Sequence, residues 1–169
     1  LLDPQMSDVD GNVEERRGTV SVFNGPPPTV VECNSEQEEV EFVAEWLRER
    51  MNDETPAHEV AVFVRSEREM PRAQAAVAAA GQQANVLDER LAAARGQISV
   101  ATMHLAKGLE FRAVAVMACD DEVMPSLERI ENVGDEAELE DVYNTERQLL
   151  YDACTRARDH LLVTSGGDA

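Results

Sequence analysis

Aromatic residues make up only 4% of the 169 residues, so any core must be built mainly from Val, Leu, Ala and Ile. Long apolar runs are missing too. No stretch approaches the roughly 20 residues a membrane helix needs, and no signal peptide is visible, which argues against a membrane partner. Cysteine is scarce: Cys33, Cys119 and Cys154 are the whole supply. An odd count without a C-x-x-C spacing excludes a disulfide framework and a zinc site. All three stand in apolar stretches and read as small buried hydrophobes, in a reducing and therefore cytoplasmic compartment. The string G-x-x-x-x-G-K-[ST] is absent, so the chain has no phosphate-cradling P-loop of its own. Positive charge is short as well, with 15 Lys and Arg against 34 Asp and Glu, a net charge of −19. That is the opposite of the usual nucleic-acid footprint.

The deficit is local. Residues 32–59 carry ten acids against Arg48 and Arg50, and residues 120–141 carry ten acids against Arg129. These two segments hold −17 of the −19, while 60–87 and 97–118 are each +1 and 142–165 is neutral. Acid is therefore kept out of the segments that hold the chemistry described below. The acidic segments themselves read as solubilising surface.

Apolar residues at 43% and charged residues at 29% are ordinary for a globular chain, and the length suits one domain with a real core. The chain opens at Leu1, not Met, and Asp3-Pro4 reads as loop, so an excised fragment or processed chain is expected. Residues 1–18 are polar and predict an irregular lead-in. Alternation predicts a strand at Thr19–Phe23, Gly25-Pro-Pro-Pro28 is a rigid break, and Val30–Cys33 is a second strand. Ser35 with Glu38 makes a capping box. Val40, Val43, Ala44 and Leu47 then follow at helical spacing, predicting a helix over 36–51. Val60–Val64 is continuously apolar, as in a strand buried on both faces. An Ala-rich helix runs from Arg68 to Ala80, with Gly81 as its cap. Short strands follow at Asn85–Leu87, Ile98–Ala101 and Ala113–Met117. Residues 120–141 read as a long acidic loop with room for a helical piece. Tyr143–Asp159 reads as a helix, Leu161–Thr164 as a last strand, and 166–169 as a tail. Strands alternating with helices predict an α/β fold with a mainly parallel sheet flanked by helices. Ligands in such sheets bind at the strands' carboxyl ends, which points to the loops after Val64, Ala101 and Met117.

The most specific string is Thr102-Met-His-Leu-Ala-Lys-Gly-Leu-Glu-Phe111, lying between two strands. Thr102 and His104 can donate to phosphate oxygens, and Lys107 can neutralise a phosphate as a point charge. Gly108 permits a tight turn and a close backbone approach. Glu110 can accept from a sugar hydroxyl or orient a cation, or be plain surface charge beside Arg112. The second string is Glu146-Arg-Gln-Leu-Leu-Tyr-Asp-Ala-Cys-Thr-Arg-Ala-Arg158. Read as helix, it sets Arg156 close to the face of Leu149. Two readings stand: a guanidinium that stabilises a transferring phosphoryl group, or an intrahelical pair with Asp152 or Asp159. Arg65 and Ser66 follow a buried strand and point from its end. Asp120-Asp121 is the nearest candidate for a magnesium-binding acidic pair. No metal ligand is assigned within the chain.

The two long strings resemble motifs V and VI of UvrD/Rep-type superfamily 1 DNA helicases. Residues 102–111 match motif V throughout. Glu146, Leu149, Tyr151, Ala153, Thr155, Arg156 and Ala157 match motif VI, and Val60–Ser66 is similar to the family's strand ending in Tyr-Arg-Ser/Thr. The resemblance runs from about residue 19 to 165 and implies a second RecA-like motor domain (19–165). In that family ATP lies between two such domains, and the first carries the P-loop and the Mg2+-binding carboxylates. The resemblance implies that Arg156 is an arginine finger reaching the γ-phosphate. It implies that Glu110 contacts the nucleotide, with Lys107 and Gly108 beside it. Thr102 and His104 would face single-stranded DNA, with Arg65 and Ser66 nearby. The partners so implied are single-stranded DNA and the N-terminal P-loop domain of the same chain, without which this chain hydrolyses no ATP.

The sequence departs from the family at Asp152, where Val is usual, at Gln148, where an Arg is usual, and at Glu67, where Asn is common. Only about ten residues separate Leu87 from Ile98, where many members insert a large subdomain. Two other functions stay open: a degenerate RecA-like domain used as a protein-binding module, and the motor half of a helicase–nuclease.

Overall fold

The computed structural model describes residues 5–7, 13–15, 25–90, 92 and 94–167. In chain order the elements are β1 (Gln5–Ser7), β2 (Val13–Glu15), β3 (Thr29–Glu32), α1 (Glu36–Asn52), β4 (Val60–Val64), α2 (Met70–Ala79), β5 (Gln83–Val86), β6 (Gln97–Thr102), β7 (Phe111–Val116), α3 (Leu127–Glu131), α4 (Glu136–Cys154) and β8 (Ala157–Ser165). β1 and β2 pair antiparallel as a sheet of their own, where irregular backbone was expected. The strand expected at Thr19–Phe23 lies outside the described residues.

The main sheet has six strands in the order β3-β8-β7-β4-β6-β5. Every pairing in it is parallel. β4 is buried along its whole length, as its unbroken apolar run predicts. Val60, Val62 and Val64 face a layer made by Val43 and Leu47 of α1 and by Ala73, Ala76 and Val77 of α2. Ala61 and Phe63 face the opposite layer with Met103, Ala106, Phe111 and Ala153. Phe63 and Phe111 meet edge to face, with ring centroids 6.1 Å apart. Two of the few aromatics are thus spent at one point in an otherwise aliphatic core.

Local chemistry sets the helix starts. Ser35 Oγ accepts from the Glu38 amide at 3.2 Å, and Glu36, Glu38 and Glu39 place negative charge in the first turn of α1. The Glu38 carboxylate accepts from the backbone of Asn34, one residue before the cap, and not from Ser35 as a reciprocal capping box requires. Gly81, at φ +75°, ends the α2 segment.

α4 departs most from expectation. It starts at Glu136, not Tyr143, because Asp135 accepts from the Glu138 amide at 2.9 Å and acids fill the first turn. Dense acid there reads as loop in the sequence and is in fact helix N-terminus chemistry. The helix also stops at Cys154, and Ala157–Ser165 is strand. Arg156 therefore lies past the helix end, and its expected alignment with Leu149 by helical spacing does not hold. The amide of Phe111 donates to the carbonyl of Arg156 at 2.9 Å, so pairing with β7 takes the chain over where the helix ends.

Candidate functional site

The expected site residues fall into two groups at opposite edges of the sheet. Arg65 and Ser66 follow β4, and Thr102 and His104 lie at the end of β6. These four occupy the carboxyl edge. Glu110 immediately precedes β7, Arg156 immediately precedes β8, and Lys107 and Gly108 lie in the turn leading to Glu110. They belong to the amino edge, although Lys107, Gly108 and Glu110 lie in the connection that follows Ala101, which was expected at the carboxyl edge. The reason is the connection between β6 and β7: it runs from one edge to the other in residues 103–110 and carries candidate residues at both.

At the amino edge the Arg156 guanidinium donates to three neutral oxygens. These are the carbonyl of Asp152 at 2.9 Å, Thr155 Oγ1 at 3.1 Å and the carbonyl of Leu109 at 3.4 Å. Among the described residues no carboxylate pairs with it. The alternative of an intrahelical ion pair is not what forms. The Asp152 carboxylate accepts from Gln148 at 3.0 Å, and the Asp159 carboxylate accepts from Arg112 and Arg158, each at 3.2 Å. The two departures from the family motif, Asp152 and Gln148, thus satisfy each other. Lys107, Gly108 and Glu110 are exposed. Gly108 sits at φ +83°, and a Cβ built there would meet nothing within 4 Å. Its backbone lies open to a ligand.

At the carboxyl edge, parallel pairing sets Val64 opposite Thr102, so the residues that follow each strand end meet. Arg65 Nε and Nη2 donate to the two carboxylate oxygens of Glu146 at 2.6 and 2.7 Å. Its remaining nitrogen, Nη1, lies 3.0 Å from His104 Nε2. Arg129 donates to Glu146 Oε1 at 2.8 Å. Arg65 and Glu146 are buried, at 8% and 3% exposure. Burial opposes ionisation of Glu146, but the hydrogen bonds and charges of Arg65, then of Arg129, outweigh it and hold the carboxyl below its ordinary range. The same bond to Glu146 raises Arg65. Two guanidiniums share the one Glu146 carboxylate, and the charge of Glu69 acts on Arg65 as well. Ser66 Oγ donates to Glu69 at 2.7 Å and accepts from the Arg68 amide, capping the turn after β4. A cleft of about 570 Å3 opens beside Thr102 and His104, walled by Met70, Leu87 and Leu105, with Glu67, Asp88 and Glu89 also lining it.

Glu146 is among the motif VI matches, but the motif alone gives it no role. The signal was present: Val142, Glu146, Leu149 and Ala153 share one helical stripe, so a carboxylate on it is buried and needs a cation. A second buried cluster joins α1, α2, β7 and β8. Glu39 Oε1 accepts from the Ala118 amide at 2.8 Å and from Thr164 Oγ1 at 2.6 Å, and Arg72 lies 2.9 Å from Glu39 Oε2. Both Arg72 Nη atoms also donate to Asp120 Oδ2 at 2.8 Å, and Asp120 Oδ1 accepts from the Gly166 amide. Asp120, the nearest candidate for a magnesium ligand, is committed to this clasp. Among the described residues no group of His, Cys, Asp or Glu is arranged to hold a metal ion, and no helix is long and apolar enough to cross a membrane.

Comparison with known proteins agrees with the motifs. The sequence profile of the UvrD-like helicase C-terminal domain matches residues 82–166, which include both motif strings. The putative ATP-dependent DNA helicase YjcD of Bacillus subtilis (strain 168) is 44% identical over 70 residues, covering 40% of this chain and 9% of that protein. The ATP-dependent DNA helicase PcrA of Staphylococcus aureus (strain MRSA252) is 37% identical over 67 residues, 40% of this chain and 8% of that protein. The crystal structure of the C-terminal domain of a possible DNA helicase from Lactobacillus plantarum WCFS1 superposes with a TM-score of 0.62 and 27% identity, over 87% of this chain and 80% of that one. An α/β domain with a six-stranded parallel sheet, matched by this profile and by this neighbour, is a helicase C-terminal domain. The chain belongs to the UvrD-like helicase C-terminal domain family. Its match spans less than a tenth of the length of these curated relatives.

Proposed function

We propose that this chain is the second motor domain of an ATP-dependent DNA helicase or translocase, completing an ATP site whose P-loop and Mg2+ ligands belong to another domain of the same protein. The observation that carries this reading is Arg156: a guanidinium beside the open turn at Gly108 that, among the described residues, donates to neutral oxygens alone. A buried or half-buried cation without a carboxylate partner suits an anionic group brought from outside. ATP supplies the phosphoryl group whose transfer spreads negative charge over its oxygens. Arg156 would stabilise that charge, Glu110 would accept from the ribose or orient the phosphate side, and Lys107 and Gly108 would line the approach.

At the other edge Thr102 and His104 would meet the backbone of single-stranded DNA. The Arg65 guanidinium behind His104 favours a phosphate at that one point, against the Glu67, Asp88 and Glu89 carboxylates that line the adjoining cleft, whose apolar walls suit a base. Ser66 would hold the turn beside them through its cap. Strand and nucleotide would be coupled through residues 103–110, which reach both. A reducing, cytoplasmic setting suits three cysteines that are all free.

The test is ATP turnover by the full-length protein with and without single-stranded DNA, wild type beside Arg156→Ala. The expected result is strong stimulation by the strand, reduced about 10³-fold or more by the substitution while ATP still binds. Near-normal turnover in the variant overturns the assignment of Arg156. A wild type that the strand does not stimulate favours the degenerate binding module instead.

A further inference from the structure

The guanidinium of Arg65 faces three ways at once. Two of its nitrogens form a fork on the Glu146 carboxylate, and the third lies 3.0 Å from His104 Nε2. Arginine has donors only and stays protonated. The ring nitrogen it meets must therefore be the acceptor, and the imidazole proton must sit on Nδ1. Among the described residues His104 makes no other hydrogen bond, and the residue is exposed. Its Nδ1–H is thus a fixed donor with no partner of its own.

The geometry points to Glu146 as a positioning residue for strand contact: by gripping Arg65 it fixes the tautomer and orientation of His104, so that Nδ1–H is the group offered to a phosphate oxygen. This rests on the reading that His104 meets the strand. Glu146 itself is buried and touches no ligand. Arg129 from α3 supports it with a second donor at 2.8 Å, so motif V at the end of β6 is oriented by motif VI in the middle of α4. Without the grip, Arg65 is free to turn, and either ring nitrogen can carry the proton. The strand then meets a mixture of donors and acceptors in place of one donor.

A double-mutant cycle on the full-length protein tests this. Affinity for a fluorescein-labelled oligothymidylate is measured by anisotropy for wild type, Glu146→Gln, His104→Ala and the double variant, with thermal melting to confirm folding. Glu146→Gln should weaken binding roughly three- to tenfold, the share of one well-made hydrogen bond, and should cost nothing further once His104 is alanine. Arg65→Lys should reproduce the loss, because one ammonium cannot grip Glu146 and reach His104 together. It takes the place of Glu146→Gln in the cycle should that variant fail to fold. An equal loss in both His104 backgrounds makes Glu146 a structural anchor only and overturns the orienting role. His104→Ala that binds like wild type overturns the strand reading itself, and the orienting role with it.

Discussion

Arg65 Nε stands 2.6 Å from Glu146 Oε2, joining the end of β4 to the middle of α4 across 81 residues of chain. Nothing in the sequence between them requires that meeting. The sheet order does, by setting β4 beside β6 and laying α4 over the layer where their ends emerge.

A pH dependence follows from this pair. Glu146 is held below its ordinary value of 4.5 in the folded chain. Its stabilisation is therefore complete above that value and is lost as pH falls beneath it, through the depressed folded value. At neutral pH Glu146→Gln should cost about 3 kcal/mol, since it leaves a buried guanidinium without its charge partner. Thermal melting of wild type and variant against pH should show the gap closing below about pH 4.5. A gap that stays constant into acid would mean that the carboxylate charge is not what holds Arg65.

Gly166 gives a steric prediction. A Cβ there would lie 2.9 Å from the Ser35 carbonyl oxygen and 2.9 Å from Glu39 Cβ. Both neighbours are fixed, one as helix-cap backbone and one in the buried clasp with Arg72 and Thr164. Gly166→Ala should destabilise by about 1–3 kcal/mol, read as a lower urea midpoint with an unchanged slope. An unchanged midpoint would show that the end of β8 shifts freely and that the clasp is loose.

The thiols should be inert in the native chain. Burial pushes Cys154 up to about 11 and raises Cys119 further still, while burial and then Glu38 raise Cys33. The thiolate is the reactive form. Iodoacetamide at pH 7.5 should therefore label none of the three quickly until denaturant is added. Rapid labelling of the folded chain would mean that the layer over Cys119 and Cys154 opens readily.

The isolated chain should bind single strands poorly. Its net charge is −19, and phosphate contacts dominate such affinity. Glu67, Asp88 and Glu89 line the cleft that also holds His104, so the carboxylates nearest the proposed contact are the ones that salt screens least. Fluorescence anisotropy at 0.1 M salt should give no saturation at micromolar protein. Tight binding would show that the acidic segments face away from the strand path and are screened from it.

Much of this was legible in the sequence. The unbroken apolar run at Val60–Val64 and the 102–111 string between two strands fixed the fold class and the family. Local signals failed where a tertiary partner or a cap decided. Residues 135–141 are dense in acid, which looks like loop until Asp135 is recognised as an N-cap. Residues 157–160 continue a helical pattern but are captured by β7. The candidate residues can be named from the sequence, but their arrangement cannot. Spacing cannot say that Glu110 and His104, six positions apart, belong to opposite edges, or that Asp152 would turn to Gln148 and leave Arg156 alone.

Residues 103–110 carry the chain from the end of β6 to the start of β7. β6 is six residues long, a rise of about 20 Å, and β4 intervenes between β6 and β7, adding about 10 Å sideways. The nine virtual bonds from Thr102 to Phe111 span about 30 Å fully extended, and a three-residue 3-10 turn at Met103–Leu105 takes up part of that. A second turn, closed by the Leu109 amide on the Ala106 carbonyl at 3.1 Å with Gly108 at φ +83°, takes up more. The slack of the segment is stored in these two turns, so a displacement of several ångströms at Glu110 opens them before it reaches His104.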